Sequence, residues 1–135
     1  MVALDYIFPT FAIFTLPDLV LFGPNYGDNL GDFAHTGSWI IGATYFSIGR
    51  GIPAIAFSAN YPTTTPYFYV NTTTKAGLKD PATIAGELAA NLVQSLIVKA
   101  SGSRVLPLGY GLNVNMPYIT STMIRASIRY SFTRY

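Results

Sequence analysis

The 135-residue chain contains no cysteine, so it has no disulfide framework and no thiol chemistry, and its redox compartment is left open. Charge is scarce as well. Only 10% of the residues are charged, against about 25% in an average soluble domain. The formal net charge is +2 and the eight Lys and Arg residues are scattered, so no nucleic-acid polymer is expected as a partner. Long apolar runs are also missing. A bilayer span takes about 20 apolar residues in succession. Residues 6–22 are interrupted by Pro9, Pro17 and Asp18, and residues 39–59 by Gly49, Arg50, Gly51 and Pro53. No membrane partner is expected on that count. The N-terminus lacks the basic segment of a secretory signal, and Asp5 breaks its apolar stretch, which leaves the compartment undetermined. The six acidic residues are Asp5, Asp18, Asp28, Asp32, Asp80 and Glu87, and no two are adjacent.

What the chain has instead is apolar bulk. Half of its residues are hydrophobic and its mean hydropathy is +0.36. Its length suits one modest domain. Two classes fit such a composition: a small membrane protein, or the interior portion of an α/β protein presented without all of its covering elements. The glycine and proline punctuation favours the second.

The chain is organised around residues 17–60. An apolar run at 19–22 without polar alternation reads as a strand covered on both faces. It leads into a loop, Gly23 to Asp32, that combines three glycines with the short oxygen-bearing side chains of Asn25, Asp28, Asn29 and Asp32. A helix over 38–48 follows, with Thr36 or Ser38 as its N-cap and Gly49 as a left-handed terminator. After the turn 49–53 comes a second buried strand, 54–57. Strand, crossover and strand make a βαβ unit, and ligands of such sheets collect at the carboxyl ends of the strands, where Asn25 lies.

The rest of the chain reads more simply. Residues 1–16 have no clear period. Residues 59–80 are loop-like, with a short strand at 67–70 and a glycosylation-type triplet, Asn71-Thr72-Thr73, read as a polar turn. Asp80 caps a helix over 80–100 with Pro81 at its first position. Its stripe of Ile84, Leu88, Leu92, Val93, Leu96 and Ile97 is core, and residues 101–103 end it. Strands are expected at 111–115 and at 126–133, the latter an edge with Arg129 and Arg134. No internal repeat or low-complexity tract occurs.

Several motifs in order carry a resemblance. They are Pro17-Asp18-Leu19-Val20, Gly23-Pro24-Asn25, Gly27, Asn29, Gly31, Gly42-Ala43 and the run from Gly51 to Ser58 (GIPAIAFS). Farther on come Leu106-Pro107, the run Leu112-Asn113-Val114-Asn115-Met116-Pro117 and the closing Ser131-Phe132-Thr133-Arg134. Together they resemble the survival protein SurE-like phosphatase/nucleotidase family, its fungal members in particular, over most of the chain from Pro17 onward.

The resemblance implies a Rossmann-like three-layer α/β/α sandwich, incomplete at the N-terminus, with a C-terminal strand extension over 106–135 that exchanges contacts between subunits. A homo-oligomer is implied with it. It further implies a metal-dependent phosphomonoester hydrolase of the 5'/3'-nucleotidase or acid phosphatase type, acting on nucleoside monophosphates or other phosphomonoesters with Mg²⁺ or Mn²⁺. By the same resemblance Asn25 is a metal-ligand position, and Gly27, Asn29 and Ser38 are phosphate- or substrate-binding positions. The family's Asp-Asp pair (N-D-D-G) is absent, and one neutral amide cannot hold such an ion against water. The chain is therefore expected to be inactive or weakly active, and poorly soluble by itself because a sheet edge is uncovered. The alternative is a non-catalytic homologue with an oligomerisation or nucleotide-binding role.

Plainer roles stand beside each site residue. Asn25 can be a turn residue, Asn29 a loop stabiliser, Asp28 and Asp32 solvated surface, and the single histidine, His35, an exposed loop side chain. Two bulky substitutions depart from the family pattern: Phe22 stands for a Ser, and Trp39-Ile40 for Gly-Thr.

Overall fold

A computed structural model describes residues 3–11, 16–60, 66, 68 and 80–118. A π-helical turn, Ala3–Ile7, and one α-turn, α1 (Phe8–Phe11), precede the first strand, β1 (Val20–Tyr26). Two helices follow, α2 (Asp32–Gly37) and α3 (Trp39–Ile48), then β2 (Ala54–Ala59), the long α4 (Pro81–Ala100) and β3 (Gly111–Met116). The three strands form one parallel sheet in the order β1-β2-β3, so β2 is central.

Helices lie on both faces of that sheet. Ile48 of α3 packs where Gly111 leaves room beside Ala54, so Ala54, Ala56 and Ser58 look toward α3. On the opposite face Ile55, Phe57 and Ala59 join Ala85 and Ala89 of α4, with Leu106 and Met116, in the main core cluster. All six residues of β2 are buried, which is why its sequence is apolar without alternation over 54–57, with Ser58 the one polar residue of the strand. Burying a side chain such as Ile55 or Phe57 contributes roughly 1.5–3 kcal/mol apiece. This is the three-layer α/β/α arrangement that the sequence implies, with the βαβ unit of residues 17–60 at its centre.

Local chemistry accounts for the helix limits. Ser38 accepts from Ile41 N at 3.4 Å and caps α3, while Asp80 accepts from Ala82 N at 3.0 Å and Thr83 N at 3.3 Å and caps α4. Inside α3 the hydroxyls of Thr44 and Ser47 donate back to the carbonyls of Ile40 (2.9 Å) and Ala43 (3.1 Å), so both polar side chains are buried without loss.

Three details differ from the sequence reading. Gly49 is right-handed (φ −61°); a further turn intervenes, and the left-handed residue is Gly51 at φ 74°. β1 runs on through Gly-Pro-Asn to Tyr26, because a register shift between Phe22 and Asn25 lets pairing with β2 resume beyond the interruption. In α4 the residues buried deepest are the small Ala85 and Ala89, with Leu88, Leu92, Val93 and Leu96 packed around them, while Ile97 stays half exposed. Small side chains let the helix approach the sheet closely.

By length and composition α4 is the one helix among the described residues that could cross a bilayer. It is nevertheless docked on β2 through Ala85 and Ala89. At the start of the chain, Asp5 accepts from Arg50 Nε at 2.9 Å and Nη2 at 3.1 Å, and the guanidinium lies 3.2 Å above the centre of the Phe46 ring. The strand expected at 67–70 (apart from Phe68), the triplet at 71–73 and the strand at 126–133 fall outside the described residues.

Candidate functional site

The carboxyl ends of the three strands carry a row of short polar side chains. Asn25 of β1 pairs with Ser58 of β2, and Ser58 pairs with Asn115 of β3, so the three occupy one rung across the sheet. Strands in a sheet lie about 4.8 Å apart, which sets Asn25 and Asn115 about 10 Å from each other with Ser58 between them. All three share the face that looks toward α3, and Asn113, two residues before Asn115, shares it too.

The loop after β1 folds over this row. Gly27 (φ 91°) donates its N–H to the Ala59 carbonyl at 3.1 Å, continuing the strand's pairing by one bond before the chain turns. Two residues on, Asn29 is only 3% exposed. Its backbone N–H donates to Asn115 Oδ1 at 2.7 Å, and its backbone carbonyl accepts from Asn113 Nδ2 at 3.0 Å. Its side-chain Nδ2 donates to the hydroxyl of Ser58, itself fully buried. Asn115 Nδ2 completes the network by donating to Asn113 Oδ1 at 3.0 Å. One asparagine thus joins the loop to both neighbouring strands, and every one of these bonds is between neutral groups.

Gly23 explains how Asn25 reaches its place. At φ 99° a Cβ there would fall on the Phe57 carbonyl oxygen and lie 2.8 Å from Asn25 N. Only glycine lets the edge strand press against the central one while it bulges, and the peptide to Pro24 is cis at this step. Beyond the bulge Asn25 is exposed at the sheet's edge.

The four positions singled out from the sequence are therefore distributed as follows. Asn25, Gly27 and Asn29 come together at the sheet's carboxyl edge. Ser38 lies at the start of α3, half buried, with its hydroxyl occupied as the helix cap. Asp28 and Asp32 are exposed; Asp28 Oδ1 accepts from Leu30 N at 3.3 Å, a loop-stabilising role. His35 lies 3.0 Å from the Tyr45 hydroxyl with the rings edge to face, which ties α2 to α3 away from the rung.

Sequence reasoning missed the parts played by Ser58, Asn113 and Asn115. The signal was present in outline. Asn113 and Asn115 alternate in a strand, so they share a face, but which loop they would meet depends on the register with β2.

A divalent cation fits this donor set poorly. The rung offers amide and hydroxyl oxygens, and among the described residues no three His, Cys, Asp or Glu side chains come together. Mg²⁺ and Mn²⁺ give up water mainly to carboxylates. What the arrangement leaves to a polar ligand is the exposed amide of Asn25 at the carboxyl edge of the sheet, since Ser58 and Asn29 are buried and bonded to each other.

Residues 1–135 match the family profile described as Survival protein SurE. The chain is 40% identical over 116 residues to a protein of Yarrowia lipolytica (strain CLIB 122 / E 150) named acid phosphatase, which covers 85% of this chain and 31% of that protein. It is 35% identical over 111 residues to a protein of Trichodesmium erythraeum (strain IMS101) named 5'-nucleotidase SurE, covering 82% of this chain and 33% of that one. The chain thus spans about a third of the length of the curated relatives it matches. No solved structure matches it at a significant level.

Proposed function

The chain belongs to the survival protein SurE family, and on that premise we propose that it forms the asparagine-bearing half of a phosphomonoester-hydrolase cleft of the nucleotidase or acid phosphatase type. The observation that carries the reading is the rung Asn25–Ser58–Asn115, held under the loop by Asn29 at the carboxyl edge of the sheet. Asn29 orients the loop by anchoring it to β2 and β3. That leaves Asn25, on the exposed side of the bulge, to present its amide to a phosphate ester or to its counter-ion. Because the rung offers a divalent cation only neutral oxygens, little or no hydrolytic activity is expected of the chain as it stands.

Phosphate release from a chromogenic phosphomonoester in Mg²⁺ or Mn²⁺ tests this directly. The expected rate is close to the blank. Robust turnover abolished by Asn25→Ala would overturn the inactivity and leave the hydrolase reading standing. Titration with AMP, with and without the metal, tests the rest. Saturable binding weakened by Asn25→Ala supports a phosphate-ester cleft, and failure to bind under either condition refutes it.

The neutral donor set favours a second reading, a non-catalytic homologue that binds nucleotide without metal. Binding of AMP unaffected by a chelator, with no turnover at any metal concentration, is its signature. Association into a homo-oligomer is part of either reading. It is supported by the exposed apolar residues Leu21, Ile97 and Val98 on the β1 and α4 side, and sedimentation velocity measures it.

A further inference from the structure

A cavity of about 660 Å³ lies at the amino end of the parallel sheet, opposite the asparagine rung. It is bounded by the segments that enter β1 and β2 and by the chain that leaves α4. Sites for small ligands span about 300–1,000 Å³, so its size suits one. The walls are apolar: Leu16, Ile52, Ile97 and Val105 line it, and Leu16 and Ile97 are half exposed. Two opposite charges, Asp18 and Arg104, border the same space. They do not neutralise each other. Arg104 Nη1 donates to the Gly51 carbonyl at 2.7 Å, while the Asp18 carboxylate has no partner among the described residues. Gly51 is set at φ 74° in the turn before β2, and the bond to it holds the guanidinium in place. The remaining guanidinium N–H groups are left to a ligand.

We propose that this cavity binds a small zwitterion with an apolar body, of the class of the aliphatic α-amino acids. The carboxylate of such a molecule takes the Arg104 guanidinium, its ammonium takes Asp18, and its side chain covers the apolar wall. The C-terminal end of α4 also borders the cavity, and the partial negative charge of a helix C-terminus favours an ammonium. The pair of charges sets the selectivity. A simple anion that reaches Arg104 meets Asp18 as a like charge, and a simple amine that reaches Asp18 meets Arg104. A zwitterion satisfies both. The site stands at the other end of the sheet from Asn25, so it goes beyond the phosphate-ester reading and does not depend on it.

The soluble share of the full chain is titrated by calorimetry at neutral pH with four probes. L-leucine carries both charges and an apolar body, 4-methylpentanoate lacks the ammonium, 3-methylbutylamine lacks the carboxylate, and glycine lacks the body. The expected result is saturable binding of L-leucine, with each of the other three weaker by about tenfold or more. Asp18→Asn should weaken L-leucine by about tenfold and leave 4-methylpentanoate no weaker than before, and Arg104→Gln should weaken L-leucine while sparing the amine. Arg104 also holds the turn at Gly51, so far-UV circular dichroism checks the fold of that variant. The comparison of probes on the unmodified chain needs no variant.

If 4-methylpentanoate or 3-methylbutylamine binds as tightly as L-leucine, only one of the two charges is used and the inference is overturned. Glycine binding as well as L-leucine overturns it too, because the apolar wall then plays no part. So does a failure of L-leucine to bind at millimolar concentration. None of these outcomes touches the asparagine rung, and the phosphate-ester reading is tested separately by AMP.

Discussion

The approach of β1 to β2 at Gly23 is the feature on which the position of Asn25 depends, and three glycine-to-alanine substitutions separate its causes. At Gly23 an alanine would suffer twice. A positive φ costs an L-residue about 1–2 kcal/mol. In addition the new methyl would strike the Phe57 carbonyl oxygen, which sits in the fully buried central strand and cannot retreat without disturbing its pairing. Losing one or two ladder hydrogen bonds adds about 1–2 kcal/mol, for a total of about 2–4 kcal/mol. Gly27 has almost the same φ but open space around it, so Gly27→Ala carries the first cost alone. Gly42 lies inside α3 with nothing near it, and Gly42→Ala should stabilise by about 0.8–1 kcal/mol from helix propensity.

Urea unfolding followed by circular dichroism at low protein concentration reads the series. With a slope of about 2 kcal/mol per molar urea, the midpoint should fall by about 1–2 M for Gly23→Ala and by about 0.5–1 M for Gly27→Ala, and rise by about 0.5 M for Gly42→Ala. Losses of the larger size are a substantial part of a stability of about 5–15 kcal/mol. If Gly23→Ala proved no worse than Gly27→Ala, the close approach would not be what makes glycine necessary. The bulge would then owe its shape to the φ value alone.

The anchoring of Asn29 predicts coupling. Asn29→Ala and Ser58→Ala should each destabilise by about 2 kcal/mol, because each strands a buried partner, while the double variant should cost about 1–2 kcal/mol less than their sum. Additivity within about 0.5 kcal/mol would show that the pair does not act as a unit. Asp80→Ala removes the acceptor of two amide N–H groups at the start of α4 and should lower stability by about 1 kcal/mol, seen as a melting temperature lower by a few degrees. An unchanged melting temperature would mean that tertiary packing alone starts this helix. Expressed alone, the chain should partition largely into the insoluble fraction, and Leu21→Lys on the exposed β1 side should raise the soluble share. An equal soluble share for the unmodified chain and Leu21→Lys would contradict that expectation.

Much of this protein was determined by local chemistry that the chain carries in linear form. Asp80-Pro81 and Ser38 start their helices in any context that lets the helices form, because the capping oxygen and the capped N–H groups lie within three residues of each other. The apolar run at 54–57 likewise implies cover on both faces of β2. Asn25 at a strand's end followed from the βαβ pattern, although the pairing of β1 beyond Gly-Pro did not. A bulge is stabilised by the neighbouring strand, and no local signal distinguishes it from a loop.

The tertiary structure decided the rest. Asn29 reads as an ordinary loop asparagine until the register of β2 against β3 brings Ser58, Asn113 and Asn115 beneath it, across separations of up to 86 residues. The burial of Ala85 and Ala89 in place of the larger stripe residues arose the same way, from how closely a helix can approach a sheet. Propensity and capping act over a few residues and are legible in sequence. Register, close approach and burial depend on which distant segment arrives, and only the folded chain contains that information.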